Sequence, residues 1–303
     1  MRRRQASFTA AGIALLRALE SMKPAGERIC YDPFARRFIS PAFLYFVKFF
    51  VDIGYPEKAG PGVMGFLVAR ARYMDDYLQS CIEEGLEQLV ILGAGYDSRA
   101  YRFEQLKSRK VFEVDHPATQ EAKIARLKKI LGRLPEHVVY VQIDFTQETL
   151  EQRLVECGYD RKLKTLFIWE GVTQYLTPEV VDSTLAFVAR NSGRGSSIIF
   201  DYIYTSLFNA TRARGEIKRM RRYRGFTGEG LTFGIPEDTI ESFLGQRGFQ
   251  EVRNVSNELL KQAYFTGVNQ KRQVASGYAI VSATVNDPSI AGLKPQGYSC
   301  EAG

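Results

Sequence analysis

Residues suited to metal binding and to disulfide chemistry are scarce in this chain. It holds two histidines, His116 and His137, which form no H-x-x-x-H pair, and four cysteines in 303 residues. Cys30, Cys81, Cys157 and Cys300 are widely spread with no C-x-x-C spacing, so neither a zinc site nor a disulfide framework is expected, and free thiols suit a cytoplasmic protein. No apolar run approaches the ~20 residues of a membrane span. The opening MRRRQASFTAAGIALL has the basic head and short apolar stretch of a signal peptide. Arg17 and Glu20 follow at once and no small-residue cleavage pattern closes it, so an amphipathic cap helix is expected instead. No repeats stand out. The 45% apolar content is enough for a full core at this length.

Residues 89–103, LVILGAGYDSRAYRF, are the most informative stretch. A four-residue apolar run breaks into Gly93-Ala94-Gly95, the pattern of a buried strand ending in a nucleotide-binding turn, where glycine allows a sharp bend and close approach to a ligand. A dinucleotide fingerprint places a third glycine where this chain has Ser98. Asp97 and Arg99 are read as charged bulk in the space of a pyrophosphate, which favours a ligand without phosphates, such as S-adenosylmethionine. Three later strands end near acids: 110–115 at Asp115, 138–144 at Asp144, and 165–171 at Glu170. Asp115 lies 22 positions after Gly93, where a carboxylate can accept two hydrogen bonds from a ribose diol. Acids closing successive parallel strands would line the carboxyl edge of one sheet, the edge at which open α/β folds bind ligands.

Between the strands, residues 64–84 and 118–131 carry helical periodicity, Thr177-Pro178-Glu179 is a helix start, and 237–248 reads as a helix stopped by Gly248. Further strands are expected at 196–203, 249–256 and 277–285. Seven strands alternating with helices predict an α/β, Rossmann-like, mostly parallel sheet with helices on both faces. The organisation expected is one domain: a helical cap over 1–85, a core over 86–285 with an insert at about 204–235, and a loose tail over 286–303.

Several motifs in this order resemble one family: SFTAAGIALLRA at 7–18, DPFA at 32–35, RARYMDD at 70–76, ILGAGYDSRAYRF at 91–103, FEVDHPATQ at 112–120, QIDF at 142–145, WEGVTQYL at 169–176 and FDY at 200–202. Over roughly residues 7–285 the chain resembles the leucine carboxyl methyltransferase-like group of S-adenosylmethionine-dependent methyltransferases, in particular its bacterial small-molecule O-methyltransferase branch. The resemblance implies a class I methyltransferase fold, S-adenosylmethionine as cofactor, and transfer of a methyl group to a carboxylate or hydroxyl of a small or polyketide-like metabolite. Gly93, Ala94 and Gly95 would lie under the methionine part, Asp115 would hold the ribose hydroxyls with His116 beside it, Asp144 and Phe145 would meet the adenine, and Glu170 would face the amino-acid end. Arg70 resembles the arginine that holds a carboxylate in this family, and Tyr175 the tyrosine that contacts the substrate carboxylate. Arg17 stands where the amino-terminal segment contributes a basic residue. Arg72 would point about 200° round the helix from Arg70, so one of the two faces the site. Asp201 and Tyr202 are candidate contacts for a hydroxyl substrate. No feature of the chain points to recognition of a phosphatase tail.

A carboxylate acceptor is already ionised at neutral pH and needs no general base, whereas an alcohol or phenol does. Neither histidine is placed as that base, which favours carboxyl methylation. Two other classes stay open in the sequence: a nicotinamide-dependent oxidoreductase, opposed by Ser98, and a non-catalytic binding protein on a methyltransferase scaffold. Between Arg212 and Arg224, RARGEIKRMRRYR supplies six of the chain's seven net positive charges. It reads as a solvated helix, as a basic lid that attracts an anionic acceptor, or as a docking site for the acidic carrier protein of such an acceptor. With Tyr223 its one aromatic and no nucleic-acid-binding motif beside it, nucleic acid is not expected as a partner. Reversing the charges of Arg219, Arg221 and Arg222 should slow capture of an anionic acceptor in a salt-dependent way and leave cofactor affinity unchanged. Stopped-flow rates at two ionic strengths test this, and an unchanged rate removes the lid.

Overall fold

A computed structural model describes residues 8–54, 60–144, 148–207, 209 and 231–286. The basic segment 212–224, Phe145, Cys300 and the tail from 287 lie outside the described residues. Three helices lead the chain, α1 (Phe8–Ser21), α2 (Ala35–Phe38) and α3 (Pro41–Asp52), and the long α4 (Val63–Glu83) carries it to the sheet. Strands β1 (Gln88–Leu92), β2 (Lys110–Asp115), β3 (Val138–Gln142), β4 (Thr165–Trp169) and β5 (Ser197–Ile203) then alternate with α5 (Arg99–Arg102), α6 (Pro117–Leu131), α7 (Leu150–Glu156) and α8 (Pro178–Arg190). The chain closes with α9 (Ile240–Gly245), β6 (Phe249–Val255), α10 (Asn257–Tyr264) and β7 (Tyr278–Val285).

The seven strands form one sheet in the order β3-β2-β1-β4-β5-β7-β6. β1 to β5 pair in parallel, and β7 runs antiparallel to both β5 and β6. The mostly parallel α/β sheet read from the sequence is therefore present. From β1 the chain winds outward through β2 and β3, then returns to the other side of β1 for β4 and β5. That reversal places the topological switch point between β1 and β4, where a crevice opens beyond the strand ends. Gly93 follows β1 and Glu170 follows β4, so both flank the crevice.

Side-chain alternation splits the core in two. Leu89, Ile91, Ile168 and Ile199 face α1, α4 and α10, while Val90, Leu92, Phe167, Trp169 and Phe200 face α7, α8 and α9. Parallel strands covered on both faces are mostly apolar, and β1, β4 and β5 are buried along their whole lengths, Gln88, Thr165, Ser197 and Asp201 being their polar members. The cap is fastened to the core at its start: α1 packs on α4, and Leu44 of α3 packs on Ala18, Leu19 and Ala35. The remaining surface of α3 carries Phe43, Tyr45, Phe46 and Phe49, each more than half exposed.

Two local expectations are corrected. The helix expected over 237–248 starts later and is shorter, because Asp238 takes a left-handed φ of +60° that breaks the helical path; it ends at Gly245, not Gly248. Helix α10 was not expected, although Leu259, Leu260, Ala263 and Tyr264 recur one turn apart, because its two turns are too short to stand out. Among the described residues no helix is long and apolar enough to cross a membrane. Cys30, Cys81 and Cys157 are free thiols, and burial pushes the first two up to about 12 and about 11. No group of metal ligands occurs among the described residues.

Gly65 shows how tightly α4 is set: a Cβ there would lie 1.9 Å from the Gln273 carbonyl oxygen. Gly65→Ala should destabilise the protein by about 1–3 kcal/mol through overpacking, read from the shift of its urea midpoint.

Candidate functional site

The turn after β1 is bent by its glycines, Gly93 at φ +65° and Gly95 at φ +43°. Its walls are protein. A Cβ on Gly93 would lie 2.4 Å from Val172 Cγ2, and one on Gly95 2.9 Å from Ala10 Cβ of α1. The chain's own neighbours therefore demand glycine here too, beside the sharp bend and the ligand approach expected from the sequence. The Ala94 amide donates to the Val114 carbonyl at 3.0 Å and ties the turn to β2.

Asp115, last in β2, accepts hydrogen bonds from the Gly95 amide (2.5 Å) and the His116 amide (2.6 Å), one on each carboxylate oxygen. Burial pushes its carboxyl above the usual range and the two amides pull it back. His116 caps α6, its Nδ1 accepting from the Ala118 amide at 3.3 Å. Asp144 stands half-buried two residues beyond β3, its amide donating to Glu148 at 3.1 Å. The expected row of acids, Asp115, Asp144 and Glu170, thus lies along the carboxyl edge of β2, β3 and β4.

Behind the edge is a buried network of charges. Glu170 receives Arg70 Nε on Oε1 at 3.1 Å and Arg99 Nη1 on Oε2 at 2.7 Å. Arg70 also donates to Asp201 at 2.7 Å, and the Gly171 amide donates to the other oxygen of Asp201 at 2.5 Å. Arg99 reaches Asp75 at 2.8 Å and Asp97, and Arg102 shares Asp75 at 2.5 Å. Arg17 donates to Asp32 (2.9 Å) and to the Tyr96 carbonyl (2.6 Å), joining α1 and the DPFA segment to the glycine turn. Burial would raise the Glu170 carboxyl, but Arg99, Arg70 and Arg17 outweigh it and hold the group well below the usual carboxylate range. Four guanidiniums (Arg17, Arg70, Arg99, Arg102) face five carboxylates (Asp32, Asp75, Asp97, Glu170, Asp201), and Asp115 and Asp144 add to the excess. Such an edge attracts a cation and repels a pyrophosphate.

The structure sorts the remaining candidates. Arg70, 2% exposed, faces the network, while Arg72 lies on the outer face of α4, paired with Asp76 at 2.7 Å in solvent. Arg72 is thereby corrected from a substrate contact to a surface residue, as the helical angle between the two allows. Asp201 and Tyr202 are neighbours on β5 and so point to opposite faces of the sheet. Asp201 joins Arg70, whereas Tyr202 packs between Phe200 and Tyr204 and donates to Asn254 at 3.1 Å, which removes it from the site. Tyr175 is half-buried in the turn Thr173–Tyr175 after β4. The charged bulk ascribed to Asp97 and Arg99 is corrected too: both side chains are buried, 8% and 2% exposed, and they pair with each other beneath the turn. Asp32 and Asp75 were missed as partners. Nothing in an isolated acid reports a partner 15 or 24 residues away, although both sit in motifs the sequence singles out, DPFA and RARYMDD.

Removing the Glu170 charge leaves two guanidiniums buried without their shared partner. Glu170→Gln should cost about 3 kcal/mol at pH 7. Because the folded-state carboxyl is depressed, its stabilisation is full above the ordinary carboxylate range and fades as pH falls below it, so the gap between wild type and variant should narrow from pH 7 to pH 3. Urea unfolding at both pH values tests this; an equal gap would show that the charge is not what stabilises.

Comparison with known proteins agrees with this architecture. Residues 10–189 match the family model for leucine carboxyl methyltransferase. The chain is 33% identical over 200 residues to YktD of Bacillus subtilis, covering 66% of each chain. It is 30% identical over 250 residues to a protein of Mycolicibacterium smegmatis, covering 80% of this chain and 81% of that one. Both are provisionally named S-adenosyl-L-methionine-dependent methyltransferases. In fold it is similar to the crystal structure of a provisionally assigned methyltransferase from Thermobifida fusca, with a TM-score of 0.57, 16% identity, and coverage of 93% of this chain and 96% of that one. The chain belongs to the leucine carboxyl methyltransferase family and is an S-adenosylmethionine-dependent methyltransferase.

Proposed function

We propose that the protein methylates an oxygen, a carboxylate in preference to a hydroxyl, on a small acidic or polyketide-like metabolite, free or carried by an acyl-carrier protein. The observation that carries this reading is that the buried acids of the charge network, Glu170 and Asp201, are each committed to cations or amides and neither histidine stands free beside them. Glu170 is held by two guanidiniums and Asp201 by Arg70 and the Gly171 amide, while His116 caps α6 and His137 precedes β3, at the opposite end of the strands. A carboxylate acceptor is ionised already and needs none of them.

S-adenosylmethionine supplies a methyl group on a sulfonium, so the chain has to bind, align and keep water out. The residues fit such a cofactor. Arg70 Nη2 is buried 3.1 Å from Glu170 Oε1 without a hydrogen bond of its own, so its N–H groups keep donor capacity for a carboxylate at the amino-acid end. Glu170, kept ionised between its arginines, suits the ammonium of the same end. Asp115, its plane fixed by two amides, has lone pairs left for both ribose hydroxyls. The backbone of Gly93, Ala94 and Gly95 would lie beside the methionine part, with Asp144 and Phe145 at the adenine and Tyr175 at the acceptor carboxylate. Arg17, committed to Asp32 and the Tyr96 carbonyl, serves the reading as a brace for the turn. The acidic excess of the edge suits a sulfonium and disfavours a nicotinamide dinucleotide, and neither nucleic acid nor membrane enters the reading.

Asp115→Ala should weaken S-adenosylmethionine binding by about 1–3 kcal/mol, because one acid serves two hydroxyls; unchanged affinity by calorimetry would remove Asp115 from the site. Methyl transfer to carboxylic acids should be flat with pH from neutrality upward. A rate that rises through the phenol range would assign the acceptor to the hydroxyl class instead.

A further inference from the structure

Glu170 is not held by Arg70 alone, and its second holder has an arrangement of its own. Arg99 begins α5 directly after the glycine turn, and its guanidinium binds three separate parts of the chain. Nη1 donates to Glu170 Oε2 at 2.7 Å and to Asp97 of the turn, Nε donates to Asp75 of α4 at 2.8 Å, and Nη2 reaches the Ala71 carbonyl at 3.4 Å. The Arg99 amide also donates to Asp97 at 2.8 Å. With Arg70 on Oε1 and Arg99 on Oε2, each oxygen of Glu170 has its own guanidinium, which fixes the carboxylate in plane and in rotation. Asp75, itself held by Arg102 at 2.5 Å, keeps Arg99 from turning away.

We propose that Arg99 is a positioning residue for the amino-acid end of the cofactor, fixing the Glu170 carboxylate while Asp75 fixes Arg99. This rests on the reading that Glu170 faces that end. A planar five-donor fork is needed, because a lysine at the same place reaches one partner as a point charge and leaves the carboxylate free to rotate. Through Asp97 the same side chain couples the glycine turn to the end of β4, so the two walls of the crevice keep their spacing.

The test separates this role from a purely structural one by using ligands with and without the amino-acid end, with S-adenosylhomocysteine, an uncharged thioether that keeps that end, as the control for the sulfonium charge. The full-length protein is titrated calorimetrically with S-adenosylmethionine, with S-adenosylhomocysteine and with 5′-methylthioadenosine, which keeps the adenosine and the sulfur but lacks the amino-acid end. Arg99→Lys should weaken S-adenosylmethionine and S-adenosylhomocysteine alike by about tenfold, the loss of one charge-assisted hydrogen bond, and change methylthioadenosine by less than about twofold. Asp75→Asn should shift the same ratio in the same direction by a smaller factor, and it decides the question if Arg99→Lys fails to fold. Equal losses with and without the amino-acid end, a loss confined to S-adenosylmethionine, or no loss for it, overturn the positioning role. Glu170→Gln tests the reading beneath it: if that variant binds S-adenosylmethionine as wild type does, Glu170 does not face the amino-acid end, and that reading falls whatever Arg99 does.

Discussion

A carboxylate with a guanidinium on each oxygen is the constraint around which this crevice is built. Glu170 stands at the end of β4, Arg70 comes from α4 and Arg99 from the start of α5, so one ionic junction joins the helical cap side, the sheet and the glycine turn. Taking these charges out of water is costly, and the mutual attraction offsets that cost only while every partner is present. Asp201, Asp75 and Asp97 complete the arginines in turn. The network therefore behaves as a unit: moving one member leaves a buried charge unpaired and displaces the others.

Its placement follows from the topology. Parallel strands put all carboxyl ends on one edge, and the reversal of strand order between β1 and β4 opens that edge where Gly93 and Glu170 meet. The apolar requirement of a sheet covered on both faces fills the strands with Val, Ile, Leu and Phe, so the polar groups that bind and orient must come from strand ends and from the helices behind them. A second buried pair works in a different way. Lys123 of α6 lies 2.8 Å from Glu113 in the middle of β2, and Tyr101 donates to Glu113 at 2.8 Å. That pair sits within the layer under α6, away from the edge, and fastens the helix to the sheet.

Much of the fold was legible because its signals are local. Apolar runs ending in glycine or acid gave the starts of β1 to β4 within one residue and their ends within two, since a buried parallel strand leaves little choice of side chain. Pro178, in a first helical turn, marked the start of α8, and the apolar period over 118–131 placed α6 to within one residue. Helix α9 was misplaced because a single left-handed residue, Asp238, outweighed the apolar period around it. Among the candidate site residues, the positions of Asp115, Asp144 and Glu170 on the carboxyl edge could be read because each lies within two residues of the end of its strand, and the angle between Arg70 and Arg72 was predictable from helix geometry.

Strand identity, the glycine turn, the row of edge acids and the family resemblance were determined by sequence alone, since each depends on neighbours within a few residues or on motif order. Which charges meet was decided by the tertiary structure. Arg99 looks in sequence like bulk projecting into the crevice, yet it folds beneath the turn because Asp75 and Glu170, 24 and 71 residues away, await it there. Asp201 and Tyr202 look equivalent as neighbours, yet the pleat sends one to Arg70 and the other into the opposite core. Pairing energies fall off within a few ångströms, and distance along the chain says nothing of that separation until the sheet has formed.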